Sequence, residues 1–360
     1  MIANNKPIRV LVVDDSAVAR NLITQGLDQH PRIEVVGTAV NTTDARNKIL
    51  RLHPDVVTMD VEMPGESGID FLTKFLPEHP LPVILVSSLN LRVFDALSAG
   101  AVDFVRKPDG PHGNASFLLA LAQKILVASC ARVPHRLPTQ GVAPAPAPLL
   151  GRPQGRLPKP TIIGLGASTG GTEATLEVLR RLPADIPGMV IVQHMPVGFT
   201  KMYAERLNRL CQMEVREAVH GDEIRPGLAL IAPADLQMRV VRLGSRYTVS
   251  CQPGEKVSGH RPSVDALFSS MASTVQCHMV GIIMTGMGRD GADGLLRMRK
   301  AGAYTIGQDR ESCVVYGMPC AAYEIGAVAI QASCDNIASV LLQHLKTVSV
   351  KSNHTLFQYV

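Results

Sequence analysis

The chain of 360 residues contains no tryptophan, and aromatic residues make up only 4% of it. Proteins that grip single-stranded nucleic acid stack its bases on aromatic rings, so that class of function has little to work with here. Cysteine occurs at seven scattered positions, Cys130, Cys211, Cys251, Cys277, Cys313, Cys320 and Cys334, with no CxxC pair. An odd, scattered set argues against a zinc site or a disulfide framework and fits the reduced thiols of a cytosolic protein. No run of about 18 uninterrupted apolar residues occurs, so no membrane span is expected. The opening MIANNKPIRVLVVDD has too short an apolar run for a signal peptide, and acids follow it at once. Acidic residues are absent between Asp109 and Glu173, where Lys124, Arg132, Arg136, Arg152, Arg156 and Lys159 lie. The formal net charge of +5 is therefore concentrated in one segment, which reads as a solvated basic connection, not a nucleic-acid-binding face.

What is present points to compact α/β structure. Hydrophobic residues make up 46% and charged residues 19%, and a chain this long exceeds what one ordinary core organises. Residues 133–160, VPHRLPTQGVAPAPAPLLGRPQGRLPKP, repeat proline and lose all periodicity, as an extended linker does. The expected organisation is a first domain over residues 1–130, a linker over 131–160, a second domain over 161–350 and a tail over 351–360. In the first domain, IRVLVVDD, EVVGTA, DVVTMD, PVILVSS and DFVRKP read as strands separated by five helical patterns. In the second, TIIGLG, GMVIVQH, LALIAP, MVGIIMTG, AYTIGQD and AVAIQA alternate with five helical patterns, and MRVVRLGSRYTVSCQ reads as an inserted hairpin around Gly244-Ser245. Continuous apolar strands alternating with helices predict parallel sheets covered on both faces, hence two doubly wound domains. Ligands of such sheets sit at the carboxyl ends of the strands.

In the first domain those ends carry Asp14-Asp15, Asp60, Ser87 and Lys107-Pro108. Carboxylates converging on one rim repel one another and imply a cation. Hard oxygen ligands on an open rim suit Mg²⁺, which also accepts phosphate oxygens. Lys107 adds a positive charge and Ser87 a hydroxyl for a phosphoryl group. LVVDDS, TMDVEMPG, VSS and DFVRKP together resemble a response-regulator receiver domain, flavodoxin-like in fold. The resemblance implies Asp60 as phosphoacceptor, with Asp14, Asp15, Asp60 and the backbone carbonyl of Glu62 arranging Mg²⁺. It further implies Ser87, Phe104 and Lys107 as the groups that sense the phosphoryl group.

In the second domain, GLGASTGG at residues 164–171 is ambiguous. It is a loose dinucleotide-binding glycine pattern, which requires an acid at the end of the next strand to hold a ribose. That strand ends in Gln193-His194. Gly166-Ala167-Ser168-Thr169-Gly170 is also G-x-S-x-G, a sharp turn that exposes a serine hydroxyl. A serine needs a base, and the base needs an orienting group. His194 lies at the neighbouring strand end, and Asp290 lies in the glycine-rich turn of MTGMGRDGADG; either a tautomer-fixing role or capping of the following helix suits Asp290. The stretches IGLGASTGGTEA, VIVQHMP, IAPADLQM, GHRPSVDALF, MTGMGRDGADG and ESCVVYGMPCAA closely resemble the protein-glutamate methylesterase family of bacterial chemotaxis, Rossmann-like in fold.

That resemblance implies Ser168 as nucleophile, His194 as base and Asp290 as its orienter. Thr169 would support the histidine, the Met287 backbone N–H would contribute to an oxyanion hole, and His260 to Ser263 would border the cleft. Gln237 stands where the family usually has His, Arg289 where Asn is common and Arg310 where an acid is common. The implied activity is phosphorylation-activated hydrolysis of glutamyl methyl esters on methyl-accepting chemotaxis receptors, with deamidation of receptor glutamines, giving sensory adaptation. The hydrolytic step would need no cofactor. The implied partners are the receptors and a chemotaxis histidine kinase as phosphodonor, with no nucleic acid and no membrane insertion, in the cytoplasm. A receiver-linked transcription factor is disfavoured, because residues 161–360 show no helix-turn-helix and no basic reading face.

Overall fold

The computed structural model describes residues 6–88, 92–108, 110, 113–133 and 160–356, with side chains as far as 348. The chain divides into two compact units, Met1–Val142 and Ala143–Val360. Nearly all of the expected linker lies outside the described residues.

The first unit alternates strand and helix in strict order: β1 (Ile8–Val13), α1 (Ala17–Leu27), β2 (Ile33–Ala39), α2 (Thr42–Leu52), β3 (Val56–Asp60), α3 (Gly68–Phe75), β4 (Val83–Ser87), α4 (Arg92–Ser98), β5 (Asp103–Arg106) and α5 (Asn114–Ala128). The strands form one parallel sheet in the order β2-β1-β3-β4-β5. β3 and β4 are buried at every position, as the run of apolar residues predicts for strands covered on both faces. Helices start where short polar side chains stop the strand ends: Ser16, Asn41 and Ser67 each accept an N–H of the first helical turn. Lys124 belongs to α5, not to the basic connection, and pairs with Asp103 at 2.6 Å.

The second unit runs β6 (Thr161–Ala167), α6 (Gly171–Leu179), β7 (Gly188–Gln193), α7 (Phe199–Leu210), β8 (Glu214–Glu217), β9 (Leu228–Ile231), β10 (Gln237–Leu243), β11 (Arg246–Gln252), α8 (Val264–Thr274), β12 (His278–Ile283), α9 (Ala292–Lys300), β13 (Tyr304–Gln308), α10 (Met318–Glu324), β14 (Ile330–Ala332) and α11 (Ile337–Leu356). Seven strands form a parallel sheet ordered β14-β13-β12-β6-β7-β9-β8. β10 and β11 form the antiparallel hairpin, turning at Gly244 with φ +62°. The chain steps from β6 to β7 on one side and returns to β12 on the other, so the strand order reverses at β6, where doubly wound sheets open a crevice.

The glycines of β6 have a packing role. A Cβ on Gly166 would lie 2.2 Å from Val264 Cγ1, and one on Gly164 would lie 2.6 Å from Met271 Sδ. Gly281, the partner of Gly164 on β12, faces Leu295 at 2.5 Å in the same way. Missing side chains let α8 and α9 lie directly on β6 and β12. That close approach brings the start of α8 to the carboxyl rim of the sheet.

Candidate active site

Ser168 follows β6 directly, and its turn is pinned from both neighbouring strands. Its N–H donates to Thr285 O at 2.9 Å, past the end of β12. Its carbonyl accepts from Gly171 N–H at 2.7 Å and from Gln193 Nε2 at 2.8 Å, at the end of β7. Thr285 Oγ1 also donates to Thr169 O at 3.0 Å, and Thr169 is buried. Gly170, with φ +75°, completes the turn in a conformation that costs glycine nothing. A Cβ on Gly286 would lie 2.7 Å from Ser168 Cβ, so the loop after β12 passes against the serine.

His194 follows β7, and its N–H donates to Ala167 O at 3.2 Å, beside the serine turn. Its Nε2 lies 2.9 Å from Asp290 Oδ2. With a carboxylate as acceptor, the neutral imidazole carries its proton on Nε2 and keeps its lone pair on Nδ1. Nδ1 is buried and has no hydrogen-bond partner among the described residues. No hydrogen bond therefore joins Ser168 Oγ to the ring, a separation common before substrate closes such a site. A second imidazole, His260, stacks on the first with centroids 3.9 Å apart and planes 8° apart.

Asp290 is 2% exposed and fully engaged. Besides His194 it accepts Ser263 Oγ at 2.7 Å, Val264 N–H at 2.8 Å and Asp265 N–H at 2.9 Å. It does not cap the helix that follows it: α9 starts at Ala292 behind Gly291, with no side-chain cap. It caps α8, whose positive end also favours an anion. Burial pushes the carboxyl upward, but the His194 bond and charge, the Asp265 N–H and the Ser263 hydroxyl outweigh it and hold Asp290 below the usual carboxylate range.

Gln237 is buried and makes three bonds. Its Nε2 donates to Glu255 O and His260 O, both at 3.0 Å, and its Oε1 accepts Ser263 N–H at 3.0 Å. It thus fixes the loop that carries the stacked imidazole. Arg289 pairs with Asp293 at 2.8 Å on the surface, and Arg310 is exposed. Met287, 38% exposed, sits in the loop beside the serine turn, and no carbonyl among the described residues accepts its N–H. Sequence spacing gave no sign of Gln193, Thr285 or Gln237 as staples, because their partners lie far along the chain. The Ser263 signal was available as a helix start of the form S-x-x-A, without its link to Asp290.

On the first sheet's rim, the carboxylates of Asp14, Asp15 and Asp60 lie within 4.8 Å of one another. Lys107 Nζ bridges Asp14 Oδ2 at 2.8 Å and Asp60 Oδ2 at 2.6 Å. Asp60 Oδ1 accepts Glu62 N–H at 3.1 Å. Burial, reinforced by the Asp14 charge, raises the Asp60 carboxyl above its ordinary value despite Lys107. Burial lowers the Lys107 pKa, but the two aspartates more than restore it and leave it raised. Ser87 Oγ is buried without a partner among the described residues. Phe104 is buried edge-on to Phe94, with centroids 6.4 Å apart.

These two rims belong to recognised domain types. Residues 10–112 match the response regulator receiver domain and residues 163–341 match the CheB methylesterase family, so the protein is a response regulator whose output domain is an esterase. It is 50% identical over 336 residues to protein-glutamate methylesterase/protein-glutamine glutaminase 2 of Syntrophomonas wolfei, covering 93% of this chain and 96% of the relative. The corresponding protein of Syntrophotalea carbinolica is 49% identical over 339 residues, 92% and 96% of the two chains. The crystal structure of the Thermotoga maritima CheB methylesterase catalytic domain matches with 33% identity and a TM-score of 0.50, covering 51% of this chain and 97% of that one. The chain belongs to the protein-glutamate methylesterase/protein-glutamine glutaminase family. No helix among the described residues is long and apolar enough to cross a membrane.

Proposed function

We propose that the second domain hydrolyses γ-glutamyl methyl esters of chemoreceptors, and receptor glutamine amides by the same steps, under control of phosphorylation at Asp60. The observation that carries this reading is His194, whose backbone N–H is bonded beside the serine turn, whose Nε2 lies against Asp290 and whose Nδ1 is buried with no partner among the described residues. His194 Nδ1 takes the hydroxyl proton as Ser168 Oγ attacks the ester carbonyl. Asp290, anionic throughout, holds the ring and stabilises the imidazolium. The Met287 N–H, which no carbonyl among the described residues accepts, receives the oxyanion, and Thr169 supports the histidine. His194 returns its proton to the departing methoxide, releasing methanol, or to the departing amide nitrogen, releasing ammonia. Water, deprotonated by the same Nδ1, then cleaves the acyl-enzyme and leaves a glutamate carboxylate.

In the receiver, the close carboxylates of Asp14, Asp15 and Asp60 fit a Mg²⁺ ion, with the Glu62 carbonyl as a further ligand. Bound there, the ion would neutralise charge on the incoming phosphoryl group. Asp60 accepts that group, Lys107 pairs with its oxygens, and the unpartnered Ser87 hydroxyl donates to it while Phe104 follows. A histidine kinase is the phosphodonor, and the protein acts in the cytoplasm with no nucleic-acid partner.

Replacing Ser168→Ala should lower methanol release from methylated receptor by at least about 10⁴-fold with an unchanged melting temperature. Release at the wild-type rate would remove Ser168 from the mechanism.

A further inference from the structure

Between the hairpin and helices α8 and α9 lies an open groove of about 770 Å³. Its walls carry Arg239 from β10 and Arg297 and Lys300 from α9, with the hydroxyls of Ser269, Ser273 and Thr274 from α8. No acidic residue lines it. Several other arginines of the domain find carboxylates: Arg206 holds Glu173, Arg216 holds Asp222 and Arg261 holds Asp235, while Arg242 and Arg299 bond carbonyl oxygens. Among the described residues no ion pair reaches Arg239, Arg297 or Lys300. Among the described residues Arg297 bonds Ser269 Oγ at 3.3 Å and Arg239 bonds Ala266 O at 3.5 Å, both neutral acceptors. The acids of α8 and α9 are already engaged: Asp293 with Arg289, and Asp265 with Ser258 Oγ and Gly294 N–H. The basic last turn of α9 is itself favourable to the helix dipole, but Arg239 lies on a strand and gains nothing from it. Val241, 39% exposed, with Ala272 and Ala301, supplies apolar surface in the groove.

We propose that this groove is a docking site for an acidic segment of the receptor substrate, seating glutamate side chains with their carboxylates on Arg239, Arg297 and Lys300 and their methylenes on the apolar residues. The assignment rests on the function proposed above. Its geometric basis is α8, which reaches Asp290 with its first turn and the groove with its last, about 13 Å further along its axis. A substrate segment can therefore present an ester to Ser168 while a neighbouring stretch lies in the groove. Charge complementarity favours a substrate whose modified residues are glutamates. Each hydrolysis creates one more carboxylate on that segment, so the groove holds a partly demethylated receptor more firmly than a fully methylated one.

The test compares two substrates in the full chain. One is methylated receptor; the other is a short uncharged peptide containing one glutamyl methyl ester, too small to span both places. The triple variant Arg239→Glu, Arg297→Glu, Lys300→Glu should raise KM for the receptor roughly tenfold. It should leave peptide hydrolysis within about twofold, because exposed side chains far from Ser168 are changed. The neutral set Arg239→Gln, Arg297→Gln, Lys300→Gln should show a smaller rise in receptor KM and a weaker salt dependence than wild type. Equal losses on both substrates in the neutral set, or an unchanged receptor KM in the triple variant, overturns the docking site. So does an unchanged receptor KM with lost binding to duplex DNA or to vesicles of anionic lipid. Failure of the wild type to release methanol from either substrate would instead overturn the proposed function.

Discussion

Each sheet of this protein carries a buried aspartate at its carboxyl rim, and the two are kept in opposite conditions. Asp60 receives one backbone N–H and the shared Lys107, and it lies beside the Asp14 charge. Asp290 receives a hydroxyl, two backbone N–H groups at a helix start and an imidazole. Burial alone raises both; the donors decide, leaving Asp60 raised and Asp290 lowered. A carboxylate short of partners is ready to accept a new group. A saturated one is fixed as an anion and serves only to hold its neighbour. The two rims show that strand-end position brings an acid to a site, while the count of donors around it sets its role.

The most severe way to break this comparison is Asp290→Asn. The amide cannot accept from all four donors, and it no longer fixes the Nε2 tautomer of His194. Methanol release should fall by about 10⁴-fold, and the second domain should lose about 2–3 kcal/mol of stability because buried donors are stranded. Asp290 also sets an acid limit. Its folded pKa is depressed, so its contribution to stability is complete above the unfolded value of about 3.9 and is lost as pH falls from there through the folded value. Thermal melts of wild type and variant should therefore converge as the pH is lowered below about 4. A variant that retained its activity would show that His194 is oriented by something other than this carboxylate.

Much of this site was legible in the sequence, and the illegible part has a physical pattern. Ser168, His194 and Asp290 stand at strand ends, where a parallel sheet gathers its functional groups, so strand assignment alone brought them to one rim. The glycines of GLGASTGG were harder to read. A dinucleotide cradle or a sharp turn was the natural use for them, yet Gly164 and Gly166 make room for α8, which sequence order separates from them by about a hundred residues. A shorter gap of 25 to 27 residues likewise hid the bonds from Ser263, Val264 and Asp265 to Asp290. Two elements also escaped notice. β8 is a four-residue edge strand, EVRE, whose charges suit an exposed edge and erase the strand pattern. α10, MPCAAYE, is too short for a helical period and has a proline, Pro319, as its second residue, a first-turn position where proline is at home.

Asp60→Asn tests the other half of the comparison, with a smaller and opposite effect. A raised folded pKa means that the ionised form is disfavoured by folding. Its favourable contribution exists below the unfolded value and disappears as pH rises through the folded one. At neutral pH the carboxylate is therefore a burden on the receiver. Neutralising it should raise the receiver's melting temperature by roughly 2–4 °C, where the same change at Asp290 lowers that of the second domain. Basal methanol release should be unchanged, and stimulation by a small phosphodonor with Mg²⁺ should vanish. A receiver destabilised by Asp60→Asn would mean that the Lys107 bond outweighs burial, and the contrast between the two acids would fail.

The finest distinction concerns the ring that lies against His194. Asp290 controls one edge of the imidazole, but the face is covered by His260, parallel at 3.9 Å and held by Gln237 through the His260 carbonyl. When Ser168 transfers its proton, His194 becomes a cation against an aromatic face, an arrangement that is favourable for any neutral ring. If the face is what matters, His260→Ala should lower kcat about five- to tenfold, the equivalent of about 1–1.4 kcal/mol, with little change in KM. His260→Phe keeps a flat ring without nitrogens and should return kcat to within about threefold of wild type. Gln237→Leu, which frees the loop but leaves the ring, should fall between them. A phenylalanine variant as impaired as the alanine one would move the role of His260 from its face to its nitrogens, and the imidazolium would then be stabilised by hydrogen bonding alone.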